Sequence, residues 1–587
     1  MEDQKRLFIA IILSIIVMVG WEWLFADKTQ VKQNTNIQQT VKGQNSAESG
    51  AAPGTNSLGK KTETAANSVR AGKETDYRPG KNHGENNGTA SLNNAAGPLK
   101  ELPRPGQHIN YRKLSVSTPY YNIVISENRA AVTSLTLNKY RETMKKNSPL
   151  KQLVNPGMTS GVFSLHLTGK SIPGLDNAVF TAETDSDDLK LVNGKKSIVF
   201  SWKSQDGIVV EKVYTFSAST YLIGLNVFIK NGSKMPLKDE LAISVPGHID
   251  KSSSRYSFHG PVALINGKLE EIKIKKIKEK DLYPGTIDWA GVTSRYFISC
   301  LLPEKPVDAR IKLVKSGSTV TTNYLQSMDR LDPGKQIKFS FHCYMGPKSL
   351  KVLSQYKNTL KQCINFGWFD ILAKPCLIGM NLIYEVIPNY GIAIILLTIL
   401  IKIIFWPLGT KSYKSMNDMK RVQPLMTELR QKYKDDKQRM NQEVMALYKT
   451  YKVNPMSGCL PMVVQMPIFF ALYRMLYQAI ELRHAPFFGW ITDLSAPDRL
   501  FHFAFTIPFV EPPTGIPVLT IIMGATMFLQ QKMSPTTGDP TQAKMMMLMP
   551  LFMTVIFVNF PAGLVLYWLV NNVLSIGQQY YIQKKFA

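Results

Sequence analysis

The sequence predicts a polytopic α-helical membrane protein that carries an exported all-β domain. Three observations lead there. The C-terminal part holds several apolar runs of membrane-spanning length. From about 109 to 350 the hydrophobic period is two, as in half-buried strands. The basic residues between the apolar runs fall on one side of a membrane when the runs are threaded in turn.

Averages over the 587 residues conceal this contrast. Hydrophobic content is 44% and mean hydropathy −0.10, because a polar half offsets an apolar one. The formal net charge is +27. Basic recognition motifs interleaved with aromatics are absent, which argues against nucleic acid as a direct ligand. An anionic membrane surface accounts for the excess. The five cysteines (Cys300, Cys343, Cys363, Cys376 and Cys459) show no metal-ligand spacing, and whether Cys300 pairs with Cys343 stays open. His166, His248, His259 and His342 are scattered, and no GxxxxGK loop occurs, so no metal or cofactor is expected.

Taken in order, residues 1–26 place Lys5-Arg6 before an apolar run that ends on Trp21-Glu22-Trp23. Such a run reads as an uncleaved signal-anchor helix with a cytoplasmic N-terminus. Residues 27–108 are rich in Asn, Gly, Thr and Ser and read as a flexible low-complexity tether. Residues 109–355 read as an exported antiparallel β-sandwich domain. There Leu225, Val227 and Ile229 alternate with Asn226 and Phe228, and Asn193-Gly194 and Asp206-Gly207 read as two-residue hairpin turns. Residues 366–388, an amphipathic stretch broken by Pro375, suit a helix lying in the interface.

Further spans are expected at 389–408, 457–480, 515–532, 546–560 and 562–582, which with the anchor makes six transmembrane helices. The loop 409–454 holds eleven basic residues, whereas 483–514 holds only Arg483 and Arg499. With Lys584-Lys585 at the end, this puts both termini in the cytoplasm and the β-domain outside. The loop 409–454 itself has a helical period. Met440, Val444, Leu447 and Tyr451 repeat as a coiled-coil seam, facing a looser stripe from Met416 to Tyr433 that is interrupted at Pro424. Asp435-Asp436 turn the chain and cap the second helix of this cytoplasmic hairpin.

Lys402 stands alone in the apolar run Gly391–Leu408. A charge there costs about 2.5–3.5 kcal/mol on insertion scales. Two readings remain open from the residue itself. Its stem could snorkel to the interface, or a wet, protein-lined space keeps the charge.

Longer motifs narrow this. Lys402-Ile-Ile-Phe-Trp-Pro-Leu408, Asp436-Lys-Gln-Arg-Met-Asn-Gln-Glu-Val-Met-Ala-Leu-Tyr448 and Val453-Asn-Pro-Met-Ser-Gly-Cys-Leu-Pro461 resemble the YidC insertases of the Oxa1/Alb3 superfamily. So do Gln465-Met-Pro-Ile-Phe469, Gln531-Lys-Met-Ser-Pro-Thr-Thr537 and Phe560-Pro-Ala-Gly-Leu-Val-Leu-Tyr567. The resemblance is close over about 366–587, and the upstream layout is similar to the Gram-negative form, whose periplasmic domain is a β-supersandwich. It implies an insertase core of five transmembrane helices over 389–587, with a positively charged hydrophilic groove. It implies a non-enzymatic activity: inserting and helping to fold inner-membrane proteins, alone or with the Sec translocon, without nucleotide. The partners so implied are nascent inner-membrane proteins, SecYEG and associated Sec proteins, membrane lipids, and the ribosome through cytoplasmic loops and the C-terminus.

By the same resemblance the client-binding groove contains Lys402, where the family usually has arginine, together with Thr398 and Gln465. It also contains Asn559, where many relatives carry tryptophan, and Tyr567 and Trp568, where they have paired aromatics. Lysine keeps the charge of arginine but loses its fixed fork of donors. Methionines concentrated in and beside the spans, such as Met466, Met527 and Met549, suit a surface that accepts many apolar clients. A secondary solute transporter would also keep a lone intramembrane charge, yet the internal repeats common in transporters are not evident. An intramembrane hydrolase would need a base beside Ser457 or Cys459, and His484 and His502 fall in an expected periplasmic loop.

Overall fold

The computed structural model describes residues 111–587 apart from 146, 156–160, 249–256, 357–358, 454–459, 509, 535–539 and 587. The expected anchor (1–26) and tether (27–108) lie outside the described residues.

Strands from Lys113 to Pro347 form a five-stranded and a thirteen-stranded sheet that share one hydrophobic core. Alternation dictates which side chains enter it. Along Leu222–Lys230 the residues Ile223, Leu225, Val227 and Ile229 are buried, and along Val209–Ser217 the inward set is Val210, Lys212, Tyr214 and Phe216. Asp206-Gly207 lies in the connection between Lys195–Lys203 and Val209–Ser217, which pair antiparallel, and Gly207 takes φ +84° there. Asn193-Gly194 is not the hairpin turn its sequence suggests. The preceding strand Asp188–Lys190 pairs in parallel with Ser115–Ser117 of the smaller sheet, so this turn passes the chain between sheets. Cys300 and Cys343 are both buried free thiols. Cys300 sits opposite Tyr344 and Cys343 opposite Leu301, and that one-residue offset directs the two thiols to opposite faces of the sheet.

The inward position of Lys212 is the exception to an apolar core. Its side chain is 0% exposed and its Nζ donates to the carbonyls of Arg129 (3.1 Å), Ala130 (2.6 Å) and Phe163 (2.8 Å). The Tyr214 hydroxyl adds a bond to Ala130 O at 2.8 Å. These bonds pin the segment following Tyr121–Ser126 of the smaller sheet onto the larger one.

After the sheets the chain is helical: α1 (Asp370–Val386), α2 (Tyr390–Ile404), α3 (Trp406–Lys432), α4 (Lys437–Thr450), α5 (Leu460–Gln478), α6 (Val518–Met533), α7 (Pro540–Phe557) and α8 (Ala562–Phe586). The Asn389 side chain caps α2, accepting from Gly391 N and Ile392 N. Helix α8 is the hub and packs against α2, α3, α5 and α6, while α7 packs on α6. Apolar side chains also cover the outside. On α1, Ala373, Leu377 and Met380 are buried while Ile371, Ile378, Leu382 and Val386 are exposed. On α2, Ala393, Ile394 and Leu397 face inward and Leu396, Leu400, Ile403 and Ile404 outward. A bundle apolar on both faces suits a solvent as apolar as its core.

By length and composition no single described helix passes as a membrane span, but α2 and α3 do so together, bent by 66°. The expected span 389–408 therefore breaks at Phe405. Pro407 lacks an N–H and its ring would meet the carbonyl of Ile403, so α2 stops there and α3 restarts in a new direction. Pro424 and Pro375, read from sequence as interruptions, are instead carried inside continuous helices α3 and α1. Helices α3 and α4 form an antiparallel pair joined at 433–436, where the Asp436 carboxylate accepts from Gln438 N and Arg439 N. Their contact is made by Met419, Val422, Leu447, Tyr448 and Val453. Tyr451, expected in the seam, is 53% exposed, because the pair meets one helical position away.

The β-domain rests on one end of the bundle. Arg295 Nε donates to Tyr477 O at the end of α5 (2.8 Å), with its guanidinium 3.8 Å from the Tyr477 ring centroid. Arg483 Nη2 donates to Arg141 O at 2.6 Å, and Lys351 pairs with Glu385 of α1 at 2.8 Å. Hence the end of α5 and the segment after it lie on the side of the β-domain.

Lys212→Met is expected to destabilise the protein by about 1–3 kcal/mol in urea unfolding at neutral pH, the cost of orphaning a buried acceptor. Burial lowers the Lys212 pKa from 10.5 to about 7. Between those values the unfolded chain holds a proton that the folded one sheds, so stability rises with pH. Wild type should therefore gain on Lys212→Met from about pH 7 to about pH 9.5; a constant gap would contradict this assignment.

Candidate functional site: a polar groove in the helical core

The groove begins with what α8 carries. Asn571, Ser575 and Gln578 recur at spacings of four and three, a polar stripe on an otherwise apolar helix. It faces Lys402 on the last turn of α2, Ser412 and Tyr413 on α3, Gln465 on α5 and Gln530 and Gln531 on α6. Together these line a cavity of about 410 Å³, bordered at one edge by Met549 and Pro550 of α7.

Hydrogen bonds order its wall. Lys402 Nζ donates to Ser575 Oγ at 2.8 Å, and Ser575 Oγ donates in turn to Asn571 O at 2.7 Å. Gln465 Nε2 donates to Asn571 Oδ1 at 2.9 Å. Gln578 Nε2 donates at 3.1 Å to Trp406 O in the first turn of α3, which also accepts from Thr410 Oγ1 at 2.9 Å. Gly409 makes that approach feasible, since a Cβ there would lie 2.8 Å from Gln578 Nε2. Among the described residues no carboxylate lies within ion-pair distance of Lys402. The amine is thus half-buried, hydrogen-bonded and electrostatically uncompensated. Nor does any group of three His, Cys, Asp or Glu assemble among the described residues to hold a metal.

Toward the β-domain the wall turns aromatic. Trp568 meets Phe469 edge-to-face at 4.6 Å and Phe557 at 5.0 Å, and Phe560 lies 5.8 Å from Tyr473. Polar chemistry therefore sits at the end nearer the basic helical pair, and apolar rings close the other.

Of the residues singled out in the sequence, Lys402, Gln465, Tyr567 and Trp568 line this cavity. Thr398 does not. It is buried one turn below Lys402, and its hydroxyl donates to Ile394 O at 2.6 Å within its own helix. Asn559 is also elsewhere. It precedes α8 on the β-domain side, where its Oδ1 accepts from Glu511 N (2.8 Å) and Arg499 Nη2 (3.2 Å). Sequence reading missed the α8 stripe, although its signal was present: polar residues at helical spacing inside a run otherwise read as a span.

A bundle sheathed in apolar side chains, hollowed by a polar groove and topped by a β-domain has the build of a membrane protein with an extramembrane domain. Known proteins agree with that class. Residues 113–378 match the YidC periplasmic domain family and residues 382–587 the 60Kd inner membrane protein family. The membrane protein insertase YidC of Syntrophus aciditrophicus is 43% identical, over 81% of this chain and 85% of its own. That of Pelobacter propionicus is 38% identical over 99% of both chains. A solved structure described as an active YidC insertase with its first transmembrane domain resolved covers 81% of this chain and 93% of its own, at 17% identity and a TM-score of 0.36. The chain belongs to the YidC family of membrane protein insertases. The β-rich part is accordingly its periplasmic domain and the helical part its inner-membrane core.

Cysteines placed at Lys402, Gln530 or Asn571, which line the groove and are only partly buried, are expected to react with a charged, membrane-impermeant maleimide added from the cytoplasmic side. Cysteines at Thr398 and Ile403, buried in packing and facing lipid respectively, should resist it. Uniform protection of all five would show that the groove holds no water.

Proposed function

We propose that the groove is where this insertase receives the polar part of its clients. One observation carries the reading: an ammonium bonded at 2.8 Å to a serine hydroxyl, with no carboxylate near it among the described residues, inside a bundle whose outer face is apolar. Insertion requires a short hydrophilic client segment to cross the bilayer while its apolar segment enters lipid. A wet groove reaching part-way through shortens the apolar distance. Acidic client residues are drawn to Lys402 more strongly than they would be in water, because the surrounding dielectric is lower. Release follows as the apolar segment partitions into lipid, each buried CH₂ contributing about 0.8 kcal/mol. No nucleotide is required by this scheme.

The finer topology rests on charge and shape. The β-domain lies outside, and Lys5-Arg6, the loop 409–454 and Lys584-Lys585 fall together on the opposite side under a six-span threading with both termini cytoplasmic. Two sheets around one core favour a supersandwich for residues 109–355. The helix near 366–388, whose exposed apolar residues Ile371, Ile378 and Leu382 accompany the polar Lys374, Asn381 and Glu385, suits the periplasmic interface. The basic α3–α4 pair and the C-terminal lysines are the surfaces offered to the ribosome, and cooperation with SecYEG and a chaperone role rest on the family resemblance.

Complementation of a depleted strain with Lys402→Arg, Lys402→Glu and Lys402→Ala tests this, scored by insertion of a short client with an acidic exported tail. Arg is expected to work and Glu to fail, with Ala dependent on the client; equal activity of Glu would sink the attraction mechanism. Ser575→Asp should phenocopy Lys402→Ala on the same client. It sets a carboxylate at hydrogen-bond distance from the amine and neutralises the groove from within.

A further inference from the structure

The segment between α5 and α6 carries an unexplained feature. Residues 500–510 (Leu-Phe-His-Phe-Ala-Phe-Thr-Ile-Pro-Phe-Val) contain no Asp, Glu, Lys or Arg. They include one strand of a two-stranded hairpin, Leu500–Phe503 with Thr514–Ile516, on the β-domain side of the bundle. A register shift between Leu500 and Phe503 leaves Phe501 with φ +55°, a conformation that bulky residues avoid, and its ring is 68% exposed. Phe505 is 62% exposed and stacks on Phe503 at 5.2 Å. In water a bulge that costs backbone strain and displays phenylalanine is doubly unfavourable.

The base of this hairpin is rigidly held. Arg499 donates through Nε to Pro513 O (3.1 Å), through Nη1 to Val558 O (2.8 Å) and through Nη2 to Asn559 Oδ1 (3.2 Å). Glu511 N donates to the same Asn559 oxygen at 2.8 Å. Both ends are thereby fastened to the turn between α7 and α8, at the periplasmic mouth of the helical core. The hairpin then runs directly into α6, whose first turns expose Ile521 and Ile522. Its exposed side chains thus continue the apolar belt of the membrane helices.

We propose that the 500–516 hairpin is a leaflet anchor, inserting Phe501 and Phe505 among the lipids of the periplasmic leaflet beside α6. Lipid is the occupant because the 500–510 arm that displays the phenylalanines carries no Asp, Glu, Lys or Arg, with Glu511 kept at its base beside Asn559, and because it adjoins the apolar face of α6, as interfacial aromatics do. Asn559 acquires its role here: it fastens the anchor to the core.

The test uses the full chain reconstituted in vesicles of phosphatidylethanolamine and phosphatidylglycerol. Nitroxide labels are placed by Phe501→Cys and, separately, Phe505→Cys in a Cys376→Ser, Cys459→Ser background; the remaining Cys300, Cys343 and Cys363 are buried. Labels at Ile521→Cys and Lys315→Cys supply the lipid and water references. Both hairpin labels should collide freely with oxygen, as at 521, and several-fold less often with a water-soluble nickel complex than at 315. Nickel access equal to that at 315 would overturn the proposal in favour of a surface awaiting a protein partner. Protection from both reagents would overturn it in favour of a contact with a second copy. Two label positions guard against one substitution perturbing the bulge.

Discussion

A positive charge inside a bundle of apolar helices persists only if polar groups surround it, and the arrangement around Lys402 follows from that requirement. The ammonium donates to Ser575 Oγ, which passes its own hydrogen to Asn571 O, and Asn571 Oδ1 accepts from Gln465. Every link is a neutral dipole. On the proposed reading, a carboxylate would satisfy the charge more fully and leave nothing for a client. The Ser575 hydroxyl holds the lysine while leaving its field open, a compromise between the cost of burial and the attraction that reading requires.

The fold supplies the space in which this is feasible. Pro407 ends α2 three residues after Ile404 and turns α3 away by 66°, so Lys402 lies on a last helical turn rather than mid-helix. Helix α8 reaches the restart of α3, where Gln578 donates to Trp406 O. Helix α8 thereby serves two ends at once, holding the bundle through its apolar positions and lining the groove through its polar ones. Trp568, Phe469 and Phe557 seal its far end, and the periplasmic domain sits above, tied down by Arg295 and Arg483.

Much of this was legible in the sequence where one physical signal acts alone. Strand alternation placed Leu225, Val227 and Ile229 inside the β-domain because pleat geometry leaves no other choice. A charge in an apolar run drew attention to Lys402. Where two signals compete, the reading was poorer. Asn193-Gly194 has hairpin chemistry, yet the strand before it found a partner in the other sheet. Proline 375 and 424 break a helix by propensity, but packing on neighbours carried α1 and α3 through them. Thr398 shares a face with Lys402 but spends its hydroxyl on its own backbone, and Asn559 serves Arg499 and Glu511. The polar stripe of α8 was obscured because its residues, taken singly, look tolerable in a span; only their spacing is informative.

The account stands on attraction between Lys402 and acidic client residues, and charge reversal on both sides tests it most directly. Insertion would be measured for one client in two forms, its exported acidic residues kept or replaced by lysine, against wild type and Lys402→Glu. The account predicts that Lys402→Glu loses the acidic form and regains insertion of the lysine form. Failure of Lys402→Glu on both forms, at normal protein levels, would contradict it and reduce Lys402 to a structural part of the groove wall.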